Sequence, residues 1–412
     1  MNYQSLPEEK IMHELDNKTG ISMVSKISYS HRDLTIVYPA ISVVMPALDE
    51  ETTIGECITK IKDLFSTHRI EGEVIIADSS SDRTPEIASS LNAMVVYPKK
   101  PGYGQAYLEG FQHARFPNIV MMDADGTYDP MEILKLIVPI VNGADLVIGS
   151  RFKGTIKSGA MTPLHRYIGN PLLTWVLNAV FDTKFSDVHS GFRAIKSDAL
   201  EKLNLKTNGM EFASEMLIMA SKKGLKIEEV PISYYPRQAP SHLHSFADGW
   251  RHLRFVLLMD PIPFLTIPGI IFSLLGIFMM ALFSFSGNIE LSHLHSFILG
   301  AILLIGGVQL LVMGINTKVY SIVHGYDEKS GWINKFLNYH SLEKFLVFGG
   351  ILILGGILIG LSIILYWINA NFGEISQIFQ GILSLLMIII GIQVIFCSVF
   401  ISMMILNEGE LP

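Results

Sequence analysis

The sequence predicts an α/β domain on a mainly parallel sheet, followed by an all-α membrane domain of four transmembrane helices. Three observations predict it. Short β-rich runs alternate with helical stretches from Thr35 to Arg151. Charged residues lie mostly before about residue 260. Beyond it come four apolar runs, near 262–285, 295–317, 345–368 and 379–405, none interrupted by Lys, Arg, Asp or Glu. Each reaches the roughly 20 apolar residues needed to cross a bilayer.

In chain order, residues 1–34 form an extension with no apolar core and no small-residue cleavage site, so it is not read as a signal peptide. From 35 to 240 the alternation is regular. "AISVVMPAL" is a strand, and "TTIGECITKIKDLF" carries apolar residues at helical spacing. "GEVIIADSS" is a second strand, and "SDRTPEIASSL" starts a helix capped by Ser81 or Asp82. "AMVVYP" is a third strand, followed by a glycine-rich turn and the helix "GYGQAYLEGFQHA". "NIVMMDAD" is a fourth strand, "PMEILKLIVPIV" a helix, and "ADLVIGSR" a fifth strand. Such alternation argues for helices on both faces of the sheet.

Ligands of such sheets bind beyond the carboxyl ends of the strands. Four polar groups fall there: Pro46 to Glu50, Asp78 to Asp82, Asp123 with Asp125, and Gly149 to Arg151. Alone, Asp123-Ala-Asp125 would read as a solvated turn. With three more polar strand ends on one rim, a hard divalent cation, Mg²⁺ or Mn²⁺, held for a diphosphate is the better reading. "KKPGYG", with Gly102 ahead of a helix start, suits a phosphate but lacks the Walker ending. The segment "TPLHRYIGNPLLTWVLNAVF" (162–181) is apolar, with Tyr167 and Trp175. It fits either the membrane interface or a buried core helix.

Residues 241–261 form a juxtamembrane segment, and 262–412 the membrane domain. Lys318, Lys329, Lys335 and Lys344 fall in the middle loop, and Arg251 and Arg254 before the first span. The other two loops have neither Lys nor Arg. The excess of cations on one side predicts a cytoplasmic α/β domain. "FLTIPG" and "FLVFGG", about eighty residues apart, hint at a repeated hairpin. Each hairpin carries one intramembrane amide, Gln309 or Gln393, expected to hydrogen-bond between helices. The net charge of −7 gives no sign of a nucleic-acid binder. With only Cys57 and Cys397, a structural disulfide is not expected.

The ordered series "VVMPALDEE", "ADSSSDRT", "KKPGYGQAY", "MDADGTYDP", "GSR" and "SDVHSGFRAI" resembles glycosyltransferase family 2, of the Rossmann-like GT-A fold. It is most similar to the polyprenyl- and dolichyl-phosphate sugar synthases. The resemblance implies that Pro46, Glu50, Asp78, Asp82, Gly102 and Asp123 bind a nucleotide-sugar donor. It implies that Asp123 and Asp125 hold the metal. Asp125, Arg151 and Arg193 are the implied catalytic residues. Arg151, Ser190, Arg237, Ser241 and His242 are the implied contacts to an acceptor phosphate. Some positions depart from the pattern: Asp49 replaces asparagine, Thr127 a third metal-site glutamine, and Ala239 and His242 a glycine and a lysine.

These features lead to a hexosyltransferase that uses a nucleotide sugar (UDP- or GDP-linked) and a polyprenyl phosphate, with inversion. The phosphate is largely a dianion at neutral pH and attacks without a strong base. A glycolipid or polysaccharide acceptor is the alternative, but the "QxxRW" motif of processive synthases is missing from this chain. A non-catalytic scaffold is a third reading, and a homo-oligomer stays open.

Overall fold

The computed structural model describes residues 38–238, 245–284, 291–327, 339–373 and 377–406. The chain divides into two units, Met1–His252 and Leu253–Pro412.

The first unit contains β1 (Ile41–Ala47), α1 (Ile54–His68), β2 (Gly72–Asp78), α2 (Thr84–Ser90), β3 (Met94–Val96), α3 (Tyr103–His113) and β4 (Asn118–Met121). Then come α4 (Ile133–Val141), β5 (Leu146–Ile156), α5 (Asn170–Phe181), β6 (Arg193–Lys196), α6 (Ser197–Leu203), α7 (Phe212–Lys222) and β7 (Ile227–Tyr234). Helix α8 (Ser245–Met259) carries the boundary between the units.

The seven strands are ordered β3-β2-β1-β4-β6-β5-β7. All run the same way except β6, which is antiparallel to both neighbours. The expected GT-A-like sheet, mainly parallel, is therefore present. Side chains alternate across it. Val43 and Met45 enter the core formed with Ile54, Ile58 and Ile61 of α1 and Leu136 and Ile137 of α4. Val44 faces the other way, so close to Gly110 of α3 that a Cβ there would lie 2.4 Å from its methyl. Both faces are thus covered, which is why β1 is apolar apart from Ser42, whose hydroxyl donates to Glu73. Helix α1 forms because its buried residues (Ile54, Cys57, Ile58, Ile61, Leu64, Phe65) recur at three- and four-residue spacing. Arg69, in the left-handed conformation, ends it.

Two strands escaped the sequence reading. β6 is four residues long, too short for a periodic signal. β7 contains Pro231, ordinarily a strand breaker, and tolerates it because β7 is an edge strand. β5 also runs past Arg151 to Ile156, pairing with β7 across an irregularity between Ser150 and Thr155.

Segment 162–181 is not a buried core helix. A π-type turn at His165–Gly169 leads into α5, and Leu164, Tyr167, Ile168, Leu172 and Trp175 are all exposed.

The second unit holds α9 (Ile267–Ser284), α10 (Leu291–Val323), α11 (Tyr339–Asn369) and α12 (Ile378–Leu406). Four stretches are long and apolar enough to cross a membrane: Ile262–Leu282, Leu294–Val323, Leu342–Asn369 and Ile378–Ile405. Helix α10 continues past the span expected from sequence, and Lys318 is paired there with Asp327. Helices α11 and α12 meet at Gly349 and Gly391, where a Cβ on either would lie within 2.8 Å of the other's carbonyl oxygen. Small residues permit this approach, and packing rather than hydrophobicity drives association in lipid. The expected inter-helix amide bond is present: Gln393 Nε2 donates to Gln309 Oε1 at 3.0 Å.

Candidate active site

Beyond the carboxyl ends of β1 and β4 lies a cavity of about 490 Å³. Its lining includes Pro46, Glu50, Gly102, Asp123, Asp125, Arg151 and Arg237 among the residues expected from sequence. Strand β4 stops at Met121, and residues 122–125 leave the sheet with both carboxylates. Gly126, at φ +75°, turns the chain so that Thr127 folds back onto Asp125. The Thr127 N–H and hydroxyl both donate to Asp125 Oδ1, at 3.1 and 2.6 Å. Thr127, where the resemblance expects a third metal-site glutamine, therefore orients a carboxylate.

Asp123 Oδ1 accepts from the Tyr103 hydroxyl at 2.9 Å and the Tyr107 hydroxyl at 3.4 Å. Burial raises its pKa, and the neighbouring Asp125 charge raises it further. Glu50 is 5% exposed. Burial pushes it up to about 7, opposed by Arg237 and reinforced by Asp125. Arg237 closes this acidic corner. Its guanidinium pairs with Glu50, and Nη1 lies 3.7 Å from Asp125 Oδ2. The corner thus concentrates negative charge that one side-chain cation partly offsets.

These residues fit a divalent cation. Asp125 Oδ1 and Asp123 Oδ1 are engaged by protein donors, and each carboxylate retains an oxygen with no hydrogen-bond donor among the described residues. Carboxylate oxygens are the donor set that hard cations take. No group of three or more His, Cys, Asp or Glu is placed to hold a metal ion among the described residues, so water or donor phosphates would complete the coordination.

Arg151 lines the cavity but is tightly held. Nε and Nη2 form a fork to Asp187 at 2.7 and 2.8 Å, and the guanidinium lies over the Tyr234 ring. The Gly102 Cα faces Asn208, where a Cβ would come within 2.3 Å of the carbonyl oxygen. This contact fixes the turn that opens α3.

Several expected residues are placed elsewhere. Arg193 is fully buried, donates to the carbonyls of Ser190, Ala213 and Val188, and does not line the cavity. Its guanidinium is thus engaged by backbone carbonyls beside the cavity, away from the lining where a catalytic role was expected. Ser190, the expected phosphate contact, is likewise buried, and its hydroxyl donates to Gly149 O. Asp82 Oδ1 accepts from Thr84 N–H just ahead of α2, whose N-cap is Arg83 rather than the expected Ser81 or Asp82, and Oδ2 accepts from Glu51 N–H. Asp78 is buried against Ser80. Both order the loops beside the cavity and neither lines it. Ser241 and His242 lie outside the described residues.

Sequence reasoning missed His189. It lines the cavity, its two ring nitrogens have no hydrogen-bond partner among the described residues, and its ring packs edge-on against His252 at 4.5 Å. Burial, then His252 and Arg151, hold its pKa well below the usual histidine value, so it is neutral near pH 7. Asp187, Ser190 and Arg193 around it are all bonded. The signal available was its place inside "SDVHSGFR".

Residues 42–204 match the model of glycosyl transferase family 2, and 315–405 that of the glycosyltransferase family 2 C-terminal transmembrane region. The low-salt glycan biosynthesis hexosyltransferase Agl6 of Haloferax volcanii is 37% identical over 97% of this chain and 98% of its own. The chain belongs to glycosyltransferase family 2. A dolichyl-phosphate hexose transferase of the same organism is 34% identical over 51% of this chain and 89% of its own length. Among solved structures, a UDP complex of glucosyl-3-phosphoglycerate synthase from Mycobacterium tuberculosis is similar at 24% identity. It covers 53% of this chain and 79% of that one, with a TM-score of 0.45. This protein is thus a membrane family 2 glycosyltransferase related to dolichyl-phosphate hexose transferases.

Proposed function

We propose that the protein transfers a hexose from a nucleoside-diphosphate donor to a polyprenyl phosphate, with inversion, on the cytoplasmic face of the membrane. One observation carries this reading. A single cavity brings Asp123 and Asp125, suited to a cation and a diphosphate, together with Arg151, Arg237 and Arg251, suited to a phosphate acceptor. Asp123 and Asp125 would hold Mg²⁺ or Mn²⁺, which supplies charge stabilisation to the departing nucleotide. Thr127 and Tyr103 fix the two carboxylates, so little reorganisation is needed when donor arrives. Arg151, braced by Asp187, gives a fixed positive wall. The relatives' hexosyltransferase and dolichyl-phosphate hexose transferase names support a hexose and a dolichyl phosphate, and the Lys and Arg bias supports the orientation.

The exposed face from Leu164 to Trp175 fits an interfacial segment, because aromatic rings with one polar edge favour the headgroup level. In a variant retaining only Trp175, brominated lipid is expected to quench its emission. Unquenched emission would count against that placement.

A hydroxyl acceptor is the second reading. It would draw on a base, and Glu50, pushed up to about 7, is the carboxylate on the cavity wall with that property. Nucleotide release from membranes, screened over UDP- and GDP-sugars with and without polyprenyl phosphate, separates the two. Release that needs the lipid phosphate supports the proposal, whereas turnover with glycolipid alone rejects it.

Arg237→Ala is expected to raise the KM for lipid phosphate about ten- to a hundredfold, the effect of losing a charged hydrogen bond. Its effect on donor KM should be smaller. Equal effects on both would contradict the acceptor role of Arg237.

A further inference from the structure

We propose that two copies of this chain pair within the membrane along the outward face of α10, with Gln309 at the two-fold axis. The face is an evenly spaced seam. Ile302, Gly306, Gln309, Met313 and Tyr320 follow one another at intervals of three, four or seven residues. Ile302, Gln309, Met313 and Tyr320 are exposed, and a Cβ at Gly306 would meet nothing within 4 Å. This is the spacing by which one helix lies along another.

The amide decides what covers the seam. Gln309 stands at the middle of the apolar stretch Leu294–Val323, where hydrocarbon offers no hydrogen bond. Its Oε1 accepts from Gln393 Nε2, which leaves its own two N–H groups without a partner among the described residues. Gln393 Oε1 is shielded and unpaired as well. Lipid headgroups are out of reach at that depth, so the partner is protein.

A second copy answers the need with the fewest parts. Gln309 carries free donors and, on Oε1, a second lone pair. A two-fold axis places the donor of each copy against the acceptor of the other, as an isologous contact requires. Gly306, nearly one turn away, lets the backbones approach closely. A single polar residue in an otherwise apolar seam also fixes the register of the two helices. None of this depends on the substrate reading.

The test uses the full-length protein in lipid bilayers. Single-molecule photobleaching should show dimers, and Gln309→Leu should raise the dissociation constant about tenfold. With Cys57 and Cys397 replaced by serine, Gln309→Cys should cross-link two copies on oxidation. Ile357→Cys, exposed on α11, should not. Monomers at every protein density would overturn the proposal. So would a dimer unchanged by Gln309→Leu, cross-linking at 357 in place of 309, or cross-linking of Gln309→Cys only to a different protein.

Discussion

Asp125→Asn is expected to lower kcat/KM for sugar transfer by about a thousandfold while the protein stays folded in membranes. The substitution keeps an oxygen that can accept from the Thr127 N–H and hydroxyl, so the turn at Gly126 has no reason to change. It removes the negative charge. Losing a cation's charge stabilisation costs several kcal/mol in the transition state, and each ~1.4 kcal/mol is tenfold in rate. A second readout separates chemistry from binding: Mn²⁺ bound in the presence of nucleoside diphosphate, followed by electron paramagnetic resonance, should weaken in the same variant. Arg237 sharpens the prediction, since it already faces Asp125 and Glu50 and would be left with only one carboxylate. Transfer retained near the wild-type rate would remove Asp125 from the metal site.

How much of this site was legible in the sequence depends on what kind of information each residue carries. Asp123 and Asp125 were legible because charge directly after a buried strand is costly, and strand ends mark ligand sites in parallel sheets. The four apolar spans were legible from length alone. The place of Arg193 was not legible. A motif records that a residue matters, and says nothing of whether its side chain points to the cavity or into the core. Its burial depends on the carbonyl of Ala213, twenty residues away, and no local pattern reports that. His189 was missed for the converse reason. Its significance is that nothing pairs with it, and an unpaired nitrogen is visible only when every neighbour is in place. The short β6 and the proline-bearing edge strand β7 were hidden because tertiary pairing overrides weak local propensity.

Arg193→Met is expected to destabilise the first unit by about 3 kcal/mol, with little effect on the specific activity of whatever remains folded. The guanidinium serves the carbonyls of Ser190, Ala213 and Val188 at 2.8 to 2.9 Å. Methionine replaces much of the volume and takes the donor from the Ser190 and Val188 carbonyls, each worth roughly 1–3 kcal/mol when left unsatisfied, while Ala213 keeps its helical bond. Against a total stability of about 5–15 kcal/mol, this is a large fraction. The loss would appear as a lower unfolding midpoint, faster proteolysis and reduced yield. The Val188 and Ser190 carbonyls flank His189, and Asp187 in the same loop braces Arg151, so the loop that orders one wall of the cavity hangs on a residue that does not line it. Lysine should not rescue the variant, because one ammonium on a flexible stem cannot reproduce a planar fork that reaches three carbonyls at once. The opposite result, a stable protein with normal yield and abolished transfer, would return Arg193 to the catalytic role that its motif implies.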